Sequence, residues 1–340
     1  MSSPAAFSAL NRPLNCATIP PAVAASPPEG RSREMRPLGF AIKEWMEVCK
    51  RNSVKAATYD RLVTSYNLML NYGISNVSVA SLSATDVRKY LNKLVDAGYA
   101  LSTIKKQFRL LTSYFSWAAN EGIITLNPTA NVKPPKEEAV RKHVKEIEAY
   151  TMPQQRALLN VLQSHAYPAY AMAELMLETG MRPGEVIALA WEDVDWDRRA
   201  INISKTAVRY RNSSDVFIQG SPKSKASKRP IPLSKRALAI MQELFNQTDA
   251  LEGLIFARED GKPMSYDMVR WHIKMACKQA NVPYYGLHVF RHTFATNCYN
   301  RGCNVKLLSK MLGHSSAAIT YNVYIHLYGD LLEEMRNIVG

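Results

Sequence analysis

Two arginines, two histidines and a late tyrosine are the side chains of this chain whose types and spacing could do chemistry. His288 and Arg291 stand three residues apart, and His314 follows in a Leu-Gly-His sequence. Tyr324 comes ten residues later, and Arg182 precedes them by about a hundred residues. Arginine forks onto phosphate oxygens, histidine carries protons near neutral pH, and a phenol is an oxygen nucleophile. Such a set could break and rejoin a phosphodiester.

The local sequence around each group predicts where it points. A glycine that ends one helix precedes Arg182, and Pro183 can open the next helix. Glu185 then lies on the same helical face as Arg182 and could orient it, although a surface ion pair would have the same spacing. His288 and Arg291 lie on the same side of a predicted helix. A histidine considered alone is more often a hydrogen-bonded structural residue than a catalytic one.

The spacing of the tyrosines near the end of the chain does not identify which of them is the nucleophile. Tyr321, Tyr324 and Tyr328 are three and four residues apart, which helical core packing also predicts. A free phenol has a pKa of about 10, so a nucleophilic tyrosine needs a base and nearby cations. His292 adjoins Arg291 but should face another direction, and we interpret it as structural.

Composition narrows the classes of partner. Lysine and arginine outnumber aspartate and glutamate by 43 to 29, which gives a net charge of +14 and a pI near 9.5. That balance suits a polyanion, although a basic surface also serves solubility alone. The five cysteines form no Cys-x-x-Cys pair, so we expect reduced thiols and no zinc. No stretch of about 18 apolar residues occurs, which argues against a membrane span, and we expect a soluble, intracellular protein.

The first part of the chain predicts an arm followed by an all-helical domain. Residues 1–36 are rich in proline, alanine and serine and are expected to be disordered. Residues 37–130 show helical periodicity, with a third helix starting at Ser83 and a fourth capped by Ser102. The fourth helix has an apolar stripe beside a polar face that either contacts DNA or is solvated surface, and the residues of that face are Lys105, Arg109, Thr112 and Ser116. We expect the first three of them to contact DNA.

The rest of the chain predicts a mainly helical α+β domain. Residues 131–146 are charged and proline-marked, as in a linker, and a second domain should cover 147–327. Strands are predicted at 200–206, 216–219 and 229–233, in one small antiparallel sheet. Residues 328–340 predict an amphipathic closing helix that packs on its own domain or on a neighbouring protomer.

Four motifs, in order, resemble those of the tyrosine recombinases, the phage integrase family. Thr-Gly-Met-Arg-Pro-Gly-Glu at 179–185 is similar to the family's first conserved box, and Pro-Lys-Ser-Lys leading to Arg-Pro-Ile-Pro-Leu at 222–233 to its lysine hairpin. The segment 288–296 resembles the second box, and 312–327 resembles the third histidine and nucleophile segments. The helical domain is similar to the family's core-binding domain.

The resemblance implies a role for each motif residue. Tyr324 attacks the scissile phosphorus and forms a 3′-phosphotyrosine, while Arg182 and Arg291 hold the nonbridging oxygens. Glu185 matches the acidic residue that supports the first box. Neither a cofactor nor a metal ion is implied.

Proton transfer is assigned in the same way. His288 accepts the tyrosine proton, His314 hydrogen-bonds the phosphate, and Lys223 protonates the 5′-oxygen leaving group. Lys225 is a second possibility for the general acid and is otherwise expected to contact DNA. Tyr321 is a second, less favoured candidate for the nucleophile.

The resemblance also implies the partners and the reaction. Four protomers would act on two double-stranded DNA sites through a Holliday junction, in integration or excision, with an accessory DNA-bending or directionality protein. Residues 1–36 are too few for a separate folded arm-binding domain, and none is expected. Resolution of replicon dimers or DNA inversion uses the same chemistry. A type IB topoisomerase and an inactive DNA-binding regulator are the rival classes.

Overall fold

The computed structural model describes residues 36–140, 148–209, 216–220, 228–248, 252–314, 316–318 and 320. The segments predicted as a disordered arm and a closing helix lie outside these residues, apart from Arg36. The mainly helical fold with a small amount of antiparallel strand, expected from sequence, is confirmed. None of the described helices is both long and apolar enough to cross a membrane.

Residues 36–140 form the helical unit, in which four α-helices surround one apolar core. The helices are α1 (Leu38–Trp45), α2 (Ala56–Leu70), α3 (Ala84–Asp96) and α4 (Leu101–Asn120). A π-helical segment, Met46–Lys50, continues α1. Large side chains fill the core, and the rings of Trp45 and Tyr114 meet edge to face at 5.8 Å. Val132 and Val140, from the segment predicted as a linker, pack against this core.

The helix starts of the helical unit test the capping predictions. Ser83 begins α3 as predicted, and its side chain and that of Asp86 form a reciprocal capping box. The prediction for Ser102 is wrong, because α4 already begins at Leu101, after Ala100. Since the methyl group of Ala100 cannot accept a capping bond, α4 is fixed by its apolar stripe rather than by a cap.

The described residues between 148 and 320 form the mixed unit. Its helices are α5 (Met152–His165), α6 (Tyr167–Thr179), α7 (Pro183–Ile187), α8 (Lys235–Asn246), α9 (Tyr266–Gln279), α10 (His288–Asn300) and α11 (Val305–Leu312). Its strands are β1 (Val194–Asp195), β2 (Ala200–Ile203), β3 (Thr206–Arg209), β4 (Val216–Gln219) and β5 (Arg229–Pro232). Helix α6 is buried on nearly all sides and packs against α5, α7, α8 and α10. A helix that is apolar all round belongs at the centre of a core.

The described strands form two small antiparallel sheets rather than the single one predicted. Strands β1, β2 and β5 make one sheet, and β3 and β4 make the other. The run predicted as one strand at 200–206 breaks after Ile203, and Thr206 opens β3. Strand β5 carries two prolines and pairs only with β2 among the described strands, which is the edge position that proline tolerates. The inner register pair is Ile201 with Ile231, both fully buried.

Candidate active site

Five of the residues predicted to form the site lie together in the mixed unit. They are Arg182, Glu185, His288, Arg291 and His314. Three further predicted residues lie outside the described part of the chain, namely Lys223, Lys225 and Tyr324. The structure therefore describes the residues predicted to bind the phosphate and to accept the tyrosine proton, and it leaves the nucleophile and the general acid as predictions.

The carboxy-terminal end of α11 is where the site is assembled. Each of three consecutive carbonyl oxygens there accepts a hydrogen bond from a different arginine. The pairs are Met311 with Arg229 Nε at 2.6 Å, Leu312 with Arg291 Nη2 at 2.7 Å and Gly313 with Arg182 Nη2 at 3.2 Å. The last carbonyls of a helix have no partner within the helix and carry partial negative charge. The helix end therefore suits cationic donors.

Arg291 joins two helix ends. It lies on α10 and is only 4% exposed, and its Nη1 donates to the carbonyl oxygen of Gly180 at 2.8 Å. Gly180 ends α6, whereas the second acceptor, Leu312, ends α11. Because its guanidinium spans both helix ends, Arg291 is fixed in position before any ligand binds.

Arg182 is the more accessible of the two predicted phosphate-binding arginines. It directly precedes α7, which Pro183 opens as predicted. Its Nη1 donates to Glu185 Oε1 at 2.7 Å, and about a third of its side chain is exposed. The guanidinium is thus held at one edge and open to solvent at another.

Glu185 is a buried carboxylate that accepts from two arginines. Besides the contact with Arg182 Nη1, its Oε2 accepts from the backbone N–H of Arg182 at 2.9 Å. Arg229 donates to both carboxylate oxygens, at 3.1 and 2.9 Å. Burial alone would raise the pKa of Glu185, but the hydrogen bonds and charges of Arg229 and Arg182 outweigh it and lower the pKa. The carboxylate stays ionised.

Two glycines permit the close packing of these helix ends. Gly180 and Gly313 both adopt left-handed backbone conformations, with φ of 66° at each. A Cβ at Gly180 would lie 2.4 Å from the ring of Phe294, and one at Gly313 would lie 2.8 Å from Arg229 Nη1. The glycines of the Thr-Gly-Met-Arg and Leu-Gly-His motifs therefore have a steric reason to be there.

His314 is held as a neutral imidazole. Its Nε2 lies 2.9 Å from Arg291 Nη2, and because a guanidinium only donates, Nε2 accepts. The proton then resides on Nδ1, which donates to Thr320 Oγ1 at 2.7 Å. Burial, followed by the charges of Arg291 and its neighbours, lowers the pKa of His314 to about 4.

The two histidines of α10 have different surroundings. His288 is exposed at the start of the helix, yet desolvation by nearby protein atoms, with the charges of Arg291 and Arg182, lowers its pKa. His292 is half-buried one residue beyond Arg291, and burial first, then the charge of His288, lowers its pKa to about 4. Both imidazoles are thus neutral at pH 7, and His288 is the one that solvent reaches.

The predicted DNA-binding residues of the helical unit all lie on α4. Lys105 and Arg109 are exposed, which leaves them accessible to a polyanion. Thr112 is half-buried, and its hydroxyl donates to the carbonyl oxygen of Phe108 at 2.9 Å. Its side chain is therefore already engaged by its own helix.

The sequence did not assign roles to Arg229 and Thr320. Arg229 belongs to the quoted Arg-Pro-Ile-Pro-Leu motif, and its burial beside Glu185 depends on a partner 44 residues away. Thr320 is fully buried, and its hydroxyl accepts the hydrogen bond from His314 Nδ1. Nothing in the local sequence distinguishes this threonine from an ordinary helix residue.

The arrangement is chemically suited to an anion, with an oriented imidazole beside it. Three guanidinium groups meet at the α11 end and two of them share one carboxylate, so positive charge exceeds negative charge beside a neutral imidazole. Such preorganised donors stabilise an oxyanion where its charge develops. Within the described ranges, no group of three or more His, Cys, Asp or Glu side chains is suited to a metal ion.

Two family models match the chain. The model described as Phage integrase family matches residues 149–330, which is more than half of the chain. The model described as Phage integrase, N-terminal SAM-like domain matches residues 44–122. The two matches fall on the mixed and the helical unit.

Similar proteins are found along most of the chain. A protein named "Tyrosine recombinase XerC-like", from Caldanaerobacter subterraneus subsp. tengcongensis, is 27% identical and covers 85% of this chain and 79% of its own length. The "ICEBs1 integrase" of Bacillus subtilis is 26% identical and covers 91% and 84%, respectively.

Solved structures share the fold. The Tn1549 transposon integrase in complex with transposon right end DNA has a TM-score of 0.75, with 22% identity, and covers 89% of this chain and 100% of that one. A lambda integrase tetramer bound to a Holliday junction has a TM-score of 0.62, with 17% identity, over 86% and 78% of the two chains.

Proposed function

The chain belongs to the phage integrase family, and we propose that it is a site-specific DNA recombinase that cuts and rejoins DNA through a phosphotyrosine. The observation that carries the proposal is the convergence at the α11 end. Arg182 and Arg291, more than a hundred residues apart, donate to adjacent carbonyls there, and His314 accepts from Arg291. A phosphodiester brought to this turn would meet two guanidinium groups and an imidazole.

The proposed step is an in-line displacement at phosphorus. The phenol oxygen of Tyr324 forms a bond to phosphorus as the bond to the 5′-oxygen breaks, which leaves a 3′-phosphotyrosine and a free 5′-hydroxyl. Arg182 and Arg291 would hold the nonbridging oxygens as negative charge grows. The reverse step, with the 5′-hydroxyl of another strand, rejoins the backbone without ATP and without a metal ion.

Protons move in two places during this step. His288 takes the proton from the phenol of Tyr324, a role supported by its exposed, neutral imidazole at the start of α10. Lys223 gives a proton to the departing 5′-oxygen, with Lys225 as the alternative donor.

The role of His314 requires a change when DNA arrives. In the structure described, its Nε2 accepts from Arg291 and cannot donate to a phosphate. The negative charge of a phosphate beside these arginines would raise the pKa of His314, because an opposite charge favours the protonated form. Nε2 would then gain a proton and donate to a nonbridging oxygen, while Nδ1 keeps its bond to Thr320.

The assembly is proposed from the two units and the relatives. We propose a core-binding domain at 37–130, a linker at 131–146 and a catalytic domain at 147–327, which together clamp duplex DNA in the bacterial cytoplasm. Lys105 and Arg109 would contact phosphates from α4. The lambda integrase structure is a tetramer bound to a Holliday junction, which supports a tetramer on two sites here. An accessory DNA-bending protein is part of the same proposal.

Capture of the covalent adduct on a nicked suicide substrate tests the proposal. DNA that flanks the gene would be nicked so that the released strand cannot return, and a tyrosine-linked adduct is expected on denaturing gels. Tyr324→Phe should abolish the adduct, while Tyr321→Phe, the matched control three residues away, should retain it. An adduct that survives Tyr324→Phe would disprove the assigned nucleophile, and no adduct with the unmodified protein would contradict the function.

Two further assays define the activity. A chelator added during cleavage should leave the rate unchanged if the step needs no metal ion. A two-site recombination assay should yield exchanged strands, whereas supercoil relaxation without exchange would indicate a type IB topoisomerase instead. Recombination of substrates with two integration ends would indicate integration. Recombination of substrates with two identical dimer-resolution sites would indicate dimer resolution.

A further inference from the structure

We propose that Arg229 is a positioning residue that aligns Arg182 and the His314 turn for phosphate binding, an inference that rests on the proposed function. Arg229 opens strand β5 and lies against two other elements of the site, the helix α7 and the α11 end. Its side chain is only 6% exposed. A phosphate therefore cannot reach it readily, and its effect must pass through its neighbours.

The first of these neighbours is Glu185. Among the hydrogen bonds that Glu185 accepts, two come from Arg182 and two from Arg229. The guanidinium of Arg229 forks onto both carboxylate oxygens, which fixes the plane of the carboxylate. Because the same Oε1 also receives Arg182 Nη1, the orientation of Arg182 depends on the fork from Arg229.

The second neighbour is the α11 end. Arg229 Nε donates to the carbonyl oxygen of Met311, one residue before the acceptor of Arg291 and two before the acceptor of Arg182. The guanidinium also packs against the Cα of Gly313, where a Cβ would lie within 3.1 Å of three Arg229 atoms. Arg229 thus fixes both the first carbonyl of the series and the backbone that leads into His314.

A lysine cannot replace this geometry. One ammonium group carries the same charge, but it lacks the planar fork and a separate Nε donor that reaches Met311 at the same time. Misplacement of catalytic groups by about 1 Å can cost on the order of 100-fold in rate. The charge of Arg229 is also among those that lower the pKa of His314, so its removal should reach the histidine electrostatically.

The first experiment compares cleavage with DNA binding. On the nicked substrate, Arg229→Lys should slow adduct formation about 10- to 100-fold per folded molecule. The dissociation constant for the same DNA, measured by fluorescence anisotropy, should change less than about twofold, because exposed residues make the DNA contacts. Arg236→Lys is the matched control, since Arg236 pairs with Glu174 away from the α11 end, and it should cleave normally.

If Arg229→Lys folds poorly, chemical rescue of a second variant by a guanidinium ion provides the test. Millimolar ethylguanidinium should restore part of the cleavage rate of Arg229→Ala, and ethylammonium at the same concentration should not. The proposal is overturned if Arg229→Lys cleaves at the normal rate, if the loss of rate equals the loss of folded protein, or if both ions rescue equally.

A DNA-free measurement separates this inference from the proposed function. In Arg229→Gln, the NMR titration midpoint of the His314 ring should move to higher pH, while Arg229→Lys, which keeps the charge, should move it less. An unchanged midpoint in Arg229→Gln would overturn the positioning role even if the unmodified protein forms no adduct. Absence of an adduct with a shifted midpoint would instead reject only the DNA-cleaving function.

Discussion

The helical unit and the mixed unit place their polar groups differently. Among the described residues, the buried polar side chains of the helical unit are all uncharged, as in the pair of Tyr90 and Gln107, which share a hydrogen bond of 2.9 Å. The mixed unit buries charged side chains as well, and these are Glu174, Glu185, Asp193, Arg229 and Arg291. The first unit is therefore specified mainly by shape, and the second by shape together with paired charge.

This difference teaches where each unit is sensitive. A close-packed apolar core loses stability when the volume of a side chain changes, and it tolerates replacement by another apolar side chain of the same size. A buried ion pair responds to the loss of either partner, because the partner that remains is left as an uncompensated charge. Substitutions that keep the side-chain volume but remove a charge should therefore destabilise the mixed unit more than the helical unit.

The largest effect is expected for Glu185→Gln, which keeps the volume and removes the anion between Arg182 and Arg229. Because Arg229 is buried, we expect a loss of about 3–5 kcal/mol in the free energy of unfolding. Chemical denaturation measures it. The control is Glu44→Gln, since Glu44 pairs with Arg36 on the surface and should change stability by less than about 1 kcal/mol. Equal losses in the two variants would remove the distinction between the units.

Acidification should weaken the mixed unit next. The folded pKa values of His292 and His314, about 4, lie below the unfolded value of about 6.5. Between these values the unfolded chain binds more protons, so stability is present above pH 6.5 and is lost as the pH falls towards 4. We expect chemical denaturation at stepped pH to show this loss, to which each of the two histidines contributes up to about 3 kcal/mol.

Histidine variants identify the source of that loss. His314→Asn combined with His292→Asn should reduce the slope of the stability profile between pH 6.5 and about 4, and His288, whose pKa is also lowered, should account for the slope that remains. Glu185, whose pKa is lowered from 4.5, acts only in a more acidic window, where its protonation removes further stability. The helical unit contains no histidine and should not contribute. A slope in the double variant as steep as in the unmodified protein would refute this assignment.

A smaller effect is expected for a volume-conserving change in the helical unit. Leu111 is fully buried on α4, and Leu111→Met should cost less than about 1.5 kcal/mol. Leu111→Ala, which leaves a cavity, should cost about 2–5 kcal/mol. If the methionine variant loses as much as the alanine variant, the core is more demanding of shape than we infer.

The smallest effect should be the same in both units. Ser83 in the helical unit and Thr151 in the mixed unit each begin a helix with a reciprocal capping box. Replacement of either by alanine should cost about 1 kcal/mol in unfolding free energy. A difference of more than about 1 kcal/mol between the two would show that the units also differ in their local, backbone-level contacts.

Local signals in the sequence were sufficient for some of these features. Ser83 was placed correctly because a capping box lies within four residues, and Pro183 because a proline after a helix-ending glycine opens a helix. The break between β2 and β3 was missed, since the run from Ala200 to Arg209 has strand-forming residues on both sides of it.

Long-range packing decided the rest. That Arg182 and Arg291 meet at one turn depends on α6 packing against both α7 and α10, which no local pattern contains. The role of Arg229 depends on Glu185, on another element. The choice of Tyr324 over Tyr321 rests on resemblance, because helical spacing treats both alike.

Helix α11 also acts as a spacer of fixed length. Its last carbonyls meet three arginines in consecutive order, and each added residue turns a helix by about 100° and advances it by about 1.5 Å. One insertion between Val305 and Leu312 would present each arginine with a carbonyl that points elsewhere. Exposed positions such as Lys306 and Leu307 make none of these contacts. Residue types on the exposed face of this helix can therefore change during evolution more easily than the length of the helix.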